Sequence, residues 1–286
     1  MLKTGIRSDA YFGFDNYEEG MRLMKAHGYD GFDYQGLASV PKSPLYKMSD
    51  EERKAYLTKV KTCAEEIGLE IYQLHGAMPC VDFSTEEGSQ TQIEHFKTSI
   101  LGAAYLGCPK IVVHPFMPGL KSNTPSDEEI PINARLWKEL APFAREHGVI
   151  VCVENVGAPQ GTAMSYIENI KRVLDEVNDE YIKACLDTGH FEAVGTDIYG
   201  AVCLLGDHLA ALHVHDSAFG QDRHAIPFQA LVDWKGFARG LKKIGFQGVM
   251  SLETMICGGT PQPMLDQMQR ALAGIARYLA TEADGE

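Results

Sequence analysis

VIVCVEN, residues 149–155, is a short apolar run rich in valine that closes on a carboxylate. Its length and content are those of a buried β-strand. Side chains alternate faces along a strand, so Ile150, Cys152 and Glu154 share one face, with Glu154 just above packed apolar residues. Runs of the same kind stand on both sides of it. IYQLHG (71–76), IVVHP (111–115), ACLDTGH (184–190), AALHVHD (210–216) and VMSLET (249–254) each end in residues able to bind a metal. Those residues are His75, His114, Asp187 with His190, His213 with His215 and Asp216, and Glu253. By the same alternation Cys185 pairs with Asp187, and Ser251 with Glu253. On the run 209–215, Ala211, His213 and His215 share parity, so either histidine can face inward.

Counting outward, strands are predicted at 2–7, 28–34, 69–76, 109–115, 149–155, 182–188, 209–215 and 248–254. Helices are predicted at 16–27, 50–67, 86–106, 131–147, 163–178, 198–206, 234–244 and 262–281. Gly28, Gly68, Gly107, Gly148 and Gly245 each stop a helix just before a strand, as left-handed C-caps do. This is one repeated βα unit, and it predicts a parallel sheet with helices outside. An open doubly wound sheet would use the same caps. Eight units with recurring polar strand ends favour an α/β (β/α)8 TIM barrel, one domain over 1–286, whose strand ends converge on one face. The segments 35–49 and 116–130 read as loops over that face, and the terminal TEADGE as a frayed tail.

The chain has 286 residues, 45% of them hydrophobic, and a formal net charge of −13. That charge disfavours nucleic acid and anionic membranes as partners. Seven cysteines are scattered without a CxxC pair, at 63, 80, 108, 152, 185, 203 and 257, which suits a reducing cytoplasm. MLKTGIRSDAYFGFDN has no signal-peptide core, and no run reaches a membrane-spanning length. P-loop, GxGxxG and GxSxG patterns are absent.

Glu154, Asp187, His213 and Glu253 would place three carboxylates and an imidazole at the top of four consecutive strands. Without a cation the carboxylates would repel one another. An oxygen-rich set with one imidazole suits Mn²⁺ or Zn²⁺, with Mg²⁺ and Co²⁺ as further candidates. The bland alternative, that these acids cap helices or meet water, explains any one of them more easily than all four. His190 follows Asp187 by three in DTGH, so both can act from one loop. His75 and His114 end strands, where a backbone-bonded core histidine is the plain alternative. Asp222 and His224 form an Asp-x-His pair in QDRHAIP, which a solvated loop would also explain. Arg223 between them is either a phosphate or carboxylate ligand or a surface residue. The GG of CGGT (257–260) offers backbone N–H groups to an anion.

In order and spacing, VVHP, CVENVG, CLDTGH, HVHDS, DRHAIP and GFQGVMSLET resemble the xylose isomerase-like barrel superfamily. It holds sugar-phosphate isomerases and epimerases, and also endonuclease IV. The resemblance implies a divalent metal held by Glu154, Asp187, His213 and Glu253. His213 is preferred to His215 because the family's ligand precedes an acidic residue by three, here Asp216. It also implies that Glu154 and Glu253 act as acid and base on opposite faces of a carbohydrate. His75, His114 and His190 are expected to hold substrate oxygens, with Arg223 as a further contact. The expected function is a metal-dependent sugar or sugar-phosphate isomerase or epimerase working through an enediolate. The endonuclease IV pattern implies instead a multi-zinc phosphodiesterase, with extra ligands at His75, His114, His190, Asp222 and His224. A non-catalytic sugar- or metal-binding barrel is the third reading. The negative charge and the few basic residues in QGLASVPKSPLY and AMPCVDFSTEEG disfavour DNA, and a homo-oligomer is open. Where the superfamily often has Pro-Gly-x-Gly before Asp-Trp, this chain has Phe228 and Ala230 for the glycines, which is expected to stiffen the loop and narrow the pocket.

Overall fold

The computed structural model describes residues 1–78, 81, 85–117, 127–157, 161–195, 197–256 and 258–284. Cys80, Cys257, most of the segment 116–130 and part of AMPCVDFSTEEG lie outside these residues. The strands are β1 (Lys3–Arg7), β2 (Gly31–Tyr34), β3 (Glu70–His75), β4 (Lys110–Val113), β5 (Ile150–Glu154), β6 (Ile182–Asp187), β7 (Leu209–His213) and β8 (Val249–Leu252). They form one eight-stranded parallel sheet in the order β7-β6-β5-β4-β3-β2-β1-β8. The ring is drawn together by a bridge from Val214 to Leu252. There Val214 donates to Ser251 O at 2.8 Å, and Glu253 donates to Val214 O at 3.0 Å. This nearly closed barrel is the architecture that the eight repeated units predict.

The helices are α1 (Tyr17–His27), α2 (Asp50–Ile67), α3 (Glu86–Leu106), α4 (Glu129–His147), α5 (Ile167–Val177), α6 (Thr188–Glu192), α7 (Ile198–Leu205), α8 (Trp234–Ile244) and α9 (Gln262–Asp284). The five glycine stops are left-handed C-caps. Three helix boundaries depart from expectation by more than one residue. α4 starts two residues before Pro131, because the first turn of a helix tolerates proline. α5 is shorter than 163–178, since Ala163–Ser165 form a separate 3-10 turn. α9 continues through Asp284, so most of TEADGE is helical rather than frayed. The one-and-a-half-turn α6 was too short for periodicity to reveal. It begins where the Asp187 carboxylate accepts from His190 N at 2.6 Å, an N-cap that turns the chain at once after β6.

Outside the sheet the helices bury a continuous apolar layer. Phe96 (α3), Phe116 and Trp137 (α4) cluster there with ring centroids 4.9–5.7 Å apart. Inside the barrel the filling is uneven. On one half Val112, Cys152, Cys185 and Ala211 form a small apolar cluster. On the other half Tyr72 enters the barrel across Gly5, where a Cβ would overlap its ring. A register shift in the β2–β3 pairing between Phe32 and Asp33 admits it, since Phe32 pairs Ile71 and Asp33 pairs Gln73.

Gly5→Ala is therefore expected to cost about 1–3 kcal/mol by overpacking. Shortening its neighbour in the double variant Gly5→Ala/Tyr72→Leu should recover part of that loss. Denaturant unfolding of the single and double variants would show it, and purely additive costs would contradict the packing described here.

Candidate active site

The C-terminal ends of the strands gather the residues singled out above. Glu154 ends β5, Asp187 ends β6, His213 ends β7 and Glu253 follows β8. One donor atom from each lies within 4.8 Å of the others. Glu154, Asp187 and His213 are fully buried, and Glu253 nearly so. The register explains the convergence, because Glu154 pairs Cys185 and Asp187 pairs His213 across adjacent strands. A bulge at Ala210 sets β7 so that Ala211 pairs Cys185 and His213 follows it inward. His213 Nδ1 is 2.8 Å from Glu154 Oε1 and 3.3 Å from Glu253 Oε2.

Both histidines of HVH turn inward, at different places. His213 joins the quartet, and His215 reaches Asp187, its Nε2 3.0 Å from either carboxylate oxygen. Gly189 makes room for that ring, since a Cβ there would overlap the imidazole. Thr188 Oγ1 donates to His215 O at 2.7 Å and accepts from His215 N at 3.0 Å, pinning the end of the strand. Asp216 is not near the quartet. Its buried carboxylate accepts from Ser217 N, Ala230 N, Val232 N and Trp234 Nε1, and so shapes the loop after β7.

The remaining histidines flank the quartet. His75 Nε2 and His114 Nε2 stand 3.9 and 3.6 Å from Glu154 Oε2. His190 Nε2 is 3.3 Å from Asp222, and His224 Nε2 is 3.4 Å from it. His224 holds a positive φ of 44° and stacks on His215 at 4.1 Å. Three further sets of donors thus come within 4.8 Å among the described residues: His75, His114 and Glu154; His75, His213 and Glu253; and His190, His215, Asp222 and His224. Arg223 is not brought in. It is exposed and bonds Gln221. The guanidinium at the mouth is instead that of Arg7, at the end of β1, with Nη1 3.5 Å from Glu253 Oε1 and Nε 2.6 Å from Asp9.

Electrostatics follow from burial against pairing. Desolvation alone would push the Glu154 and Asp187 carboxyls up, but the facing histidines outweigh it and hold both below their ordinary values. Burial would likewise lower His213, yet Glu253, Glu154 and Asp33 raise it well above an ordinary imidazole. His190 is raised to about 10 against its burial, by Asp187, Asp222 and Glu154. His114 goes the other way, down to about 4, because burial outweighs Glu154.

Several residues of the site escaped the sequence reading. Asp33, buried at the end of β2, lies with Oδ2 2.9 Å from His213 Nε2. Gln73 donates to the same oxygen at 3.0 Å. Asn155 bridges β5 and β6, donating to Asp187 O at 3.1 Å and accepting from Asp187 N at 2.9 Å. Asp33 carried a weaker signal than its counterparts, a carboxylate near the end of the strand candidate GYDGFDY, which is not an apolar run.

Above the quartet is a cavity of about 430 Å³. His75, His114, Glu154, His190, Asp222, His224 and Glu253 line it, together with Arg7, Gln35 and Lys42. Phe228 is not among its lining residues, contrary to the narrowing expected of it. It is 51% exposed and packs on Trp234 and Tyr278, 5.6 and 5.9 Å away. It keeps a φ of 74°, a conformation glycine would take without strain. Among the described residues no helix is long and apolar enough to cross a membrane.

The chain is similar to several known proteins. Inosose isomerase of Bacillus subtilis is 26% identical over 244 residues, covering 83% of this chain and 84% of that protein. A D-psicose 3-epimerase of Enterocloster bolteae is 23% identical over 277 residues, covering 90% and 85%. The solved D-psicose 3-epimerase of Clostridium cellulolyticum H10, in complex with D-tagatose, superposes with a TM-score of 0.81 at 19% identity. The match covers 98% of this chain and 99% of that one, a likeness of fold. A family model described as xylose isomerase-like TIM barrel matches residues 21–277, and the chain belongs to that family.

Proposed function

We propose that this protein is a divalent-metal-dependent isomerase or epimerase of a sugar or sugar phosphate. The observation that carries the reading is the buried quartet Glu154, Asp187, His213 and Glu253 at the floor of a cavity of monosaccharide size. Likeness to an inosose isomerase and to D-psicose 3-epimerases supports the substrate class. The quartet fits a cation on its own chemistry. Glu154 Oε2 is buried with no hydrogen-bond partner, a costly arrangement that an ion would relieve. Three carboxylates with one imidazole suit Mn²⁺ or Zn²⁺, and also accept Mg²⁺ or Co²⁺. Such a cation, when bound, supplies Lewis-acid polarisation of a substrate carbonyl.

The chain's own residues do the rest. Glu154 and Glu253 stand on β5 and just after β8, so their carboxylates face the cavity from different sides. One takes the proton from the carbon beside the carbonyl, and the released electron pair moves toward the carbonyl oxygen. The other returns a proton to the opposite face. His75 and His190 are the side chains placed to hold hydroxyls, with His114 beside them. Arg7, rather than Arg223, is the guanidinium available to a substrate oxygen. The unpaired thiols of Cys63, Cys108, Cys152, Cys185 and Cys203 suit a reducing, cytoplasmic setting.

A second reading, hydrolysis of a phosphodiester with several ions, draws on the further donor sets that include His75 with His114, and Asp222 with His224. Elemental analysis of protein purified without chelator separates the two. One ion per chain supports the isomerase, and two or three zinc ions support the hydrolase.

Glu154→Gln and Glu253→Gln are each expected to lower exchange of a substrate C–H with D₂O by about 10²–10⁴-fold. NMR over a panel of ketoses, inososes and their phosphates measures it. Full exchange by folded, metal-loaded variants would refute the acid–base assignment.

A raised imidazole keeps its proton at neutral pH, and a ligand histidine must lose it. Metal binding at pH 7 should therefore release a proton from His213. Apparent affinity should then rise with pH by about tenfold per unit for one displaced proton. Calorimetry in buffers of different ionisation enthalpy checks this, and a binding heat independent of buffer would count against it.

A further inference from the structure

Most of the histidines around the quartet are held by one ring nitrogen. His75 Nδ1 donates to Gly76 O at 2.9 Å, His190 Nδ1 to Asn155 O at 3.0 Å, and His224 Nδ1 to Glu253 O at 2.9 Å. Each thereby turns Nε2 toward the cavity. His213 is held the other way round. Its Nε2 meets Asp33 Oδ2 at 2.9 Å, and Nδ1 faces the quartet. Its anchor is a carboxylate 1% exposed, where the other anchors are neutral backbone carbonyls.

The difference matters because carboxylates compete for this ring. A neutral imidazole has one N–H, and an ionised carboxylate only accepts. Glu154 and Glu253 at 2.8 and 3.3 Å draw that N–H to Nδ1, where it would block ligation. Among the described residues Asp33 alone draws it to Nε2. Gln73 holds Asp33 to the task, donating from Nε2 to Oδ2 at 3.0 Å while also reaching Leu212 O at 3.3 Å and Ser251 Oγ at 3.4 Å. The amide is thus tied across β7 and β8 and presents its donor to that one oxygen.

We infer that Asp33, held by Gln73, is a positioning residue that holds the Nε2 proton of His213, so that the proton a metal displaces is the one on Nδ1. The inference rests on the metal reading above. Outer partners of this kind tune both ligand orientation and basicity.

Asp33→Asn is nearly isosteric. Gln73 would keep the amide oxygen toward His213, so the variant removes charge and little else. Co²⁺ binding by chelator competition is expected to weaken about 10–100-fold, with a shifted visible Co²⁺ band. The melting temperature of metal-free protein should stay close to that of wild type, which a merely structural role would not allow. An Asp33→Asn protein that binds Co²⁺ with wild-type affinity and spectrum overturns the inference. So does a loss of affinity fully matched by lost metal-free stability. If Asp33→Asn does not fold, Gln73→Leu decides, since it keeps the carboxylate but releases it. A several-fold weaker affinity supports the role, and unchanged binding rejects it. Wild-type protein that binds no Co²⁺ would instead sink the metal reading itself.

Discussion

Burying like charges together is the constraint on which the rest of this structure depends. Glu154, Asp187, Glu253 and Asp33 sit in or beside one pocket with almost no exposure. Two unit charges 4 Å apart interact by about 4 kcal/mol at an effective dielectric constant of 20. Several such repulsions would rival the whole stability of a domain. In the protein without metal the compensation comes from histidines, and His213, His190 and His215 are all raised above an ordinary imidazole by the carboxylates they face. The pocket is therefore a store of protons that a divalent cation would displace.

The barrel makes that concentration of charge tolerable by making it rigid. The donors stand on adjacent strands, and each is oriented by a second contact. Asn155 ties Asp187 to β5, Thr188 ties His215 to α6, and Gly189 leaves the space His215 occupies. The interior below is divided, with a small apolar cluster on the β4–β7 side and the Asp33–Gln73–Ser251 network on the β2, β3 and β8 side. The polar half is the one that offers His213 Nε2 its acceptor, Asp33, and there an amide and a carboxylate occupy positions that would otherwise be apolar.

The loop after β7 shows how a changed motif can keep its geometry. Phe228 holds a positive φ at a position where the superfamily often has glycine. Its ring turns outward onto Trp234 and Tyr278, and Asp216 anchors the surrounding backbone. Bulk in the sequence thus did not become bulk in the cavity, because backbone direction rather than side-chain size decides which space a residue fills.

By itself the sequence determined the barrel and the inward facing of the strand-end carboxylates, since both rest on local regularities. Strand parity fixes which of Cys152 and Glu154, or Cys185 and Asp187, face inward, and glycine caps mark where each unit ends. Whether His213 or His215 entered the site could not be read from parity that they share. Tertiary structure decided that both do, at different depths. It also decided that Arg7 and not Arg223 reaches the mouth, that Asp33 and Gln73 serve His213, and that Tyr72 fills the space above Gly5. Those contacts join residues up to 246 positions apart, and two of them depend on where a register shift falls. A shift of one residue reverses the facing of a strand, and nothing in the local sequence records it.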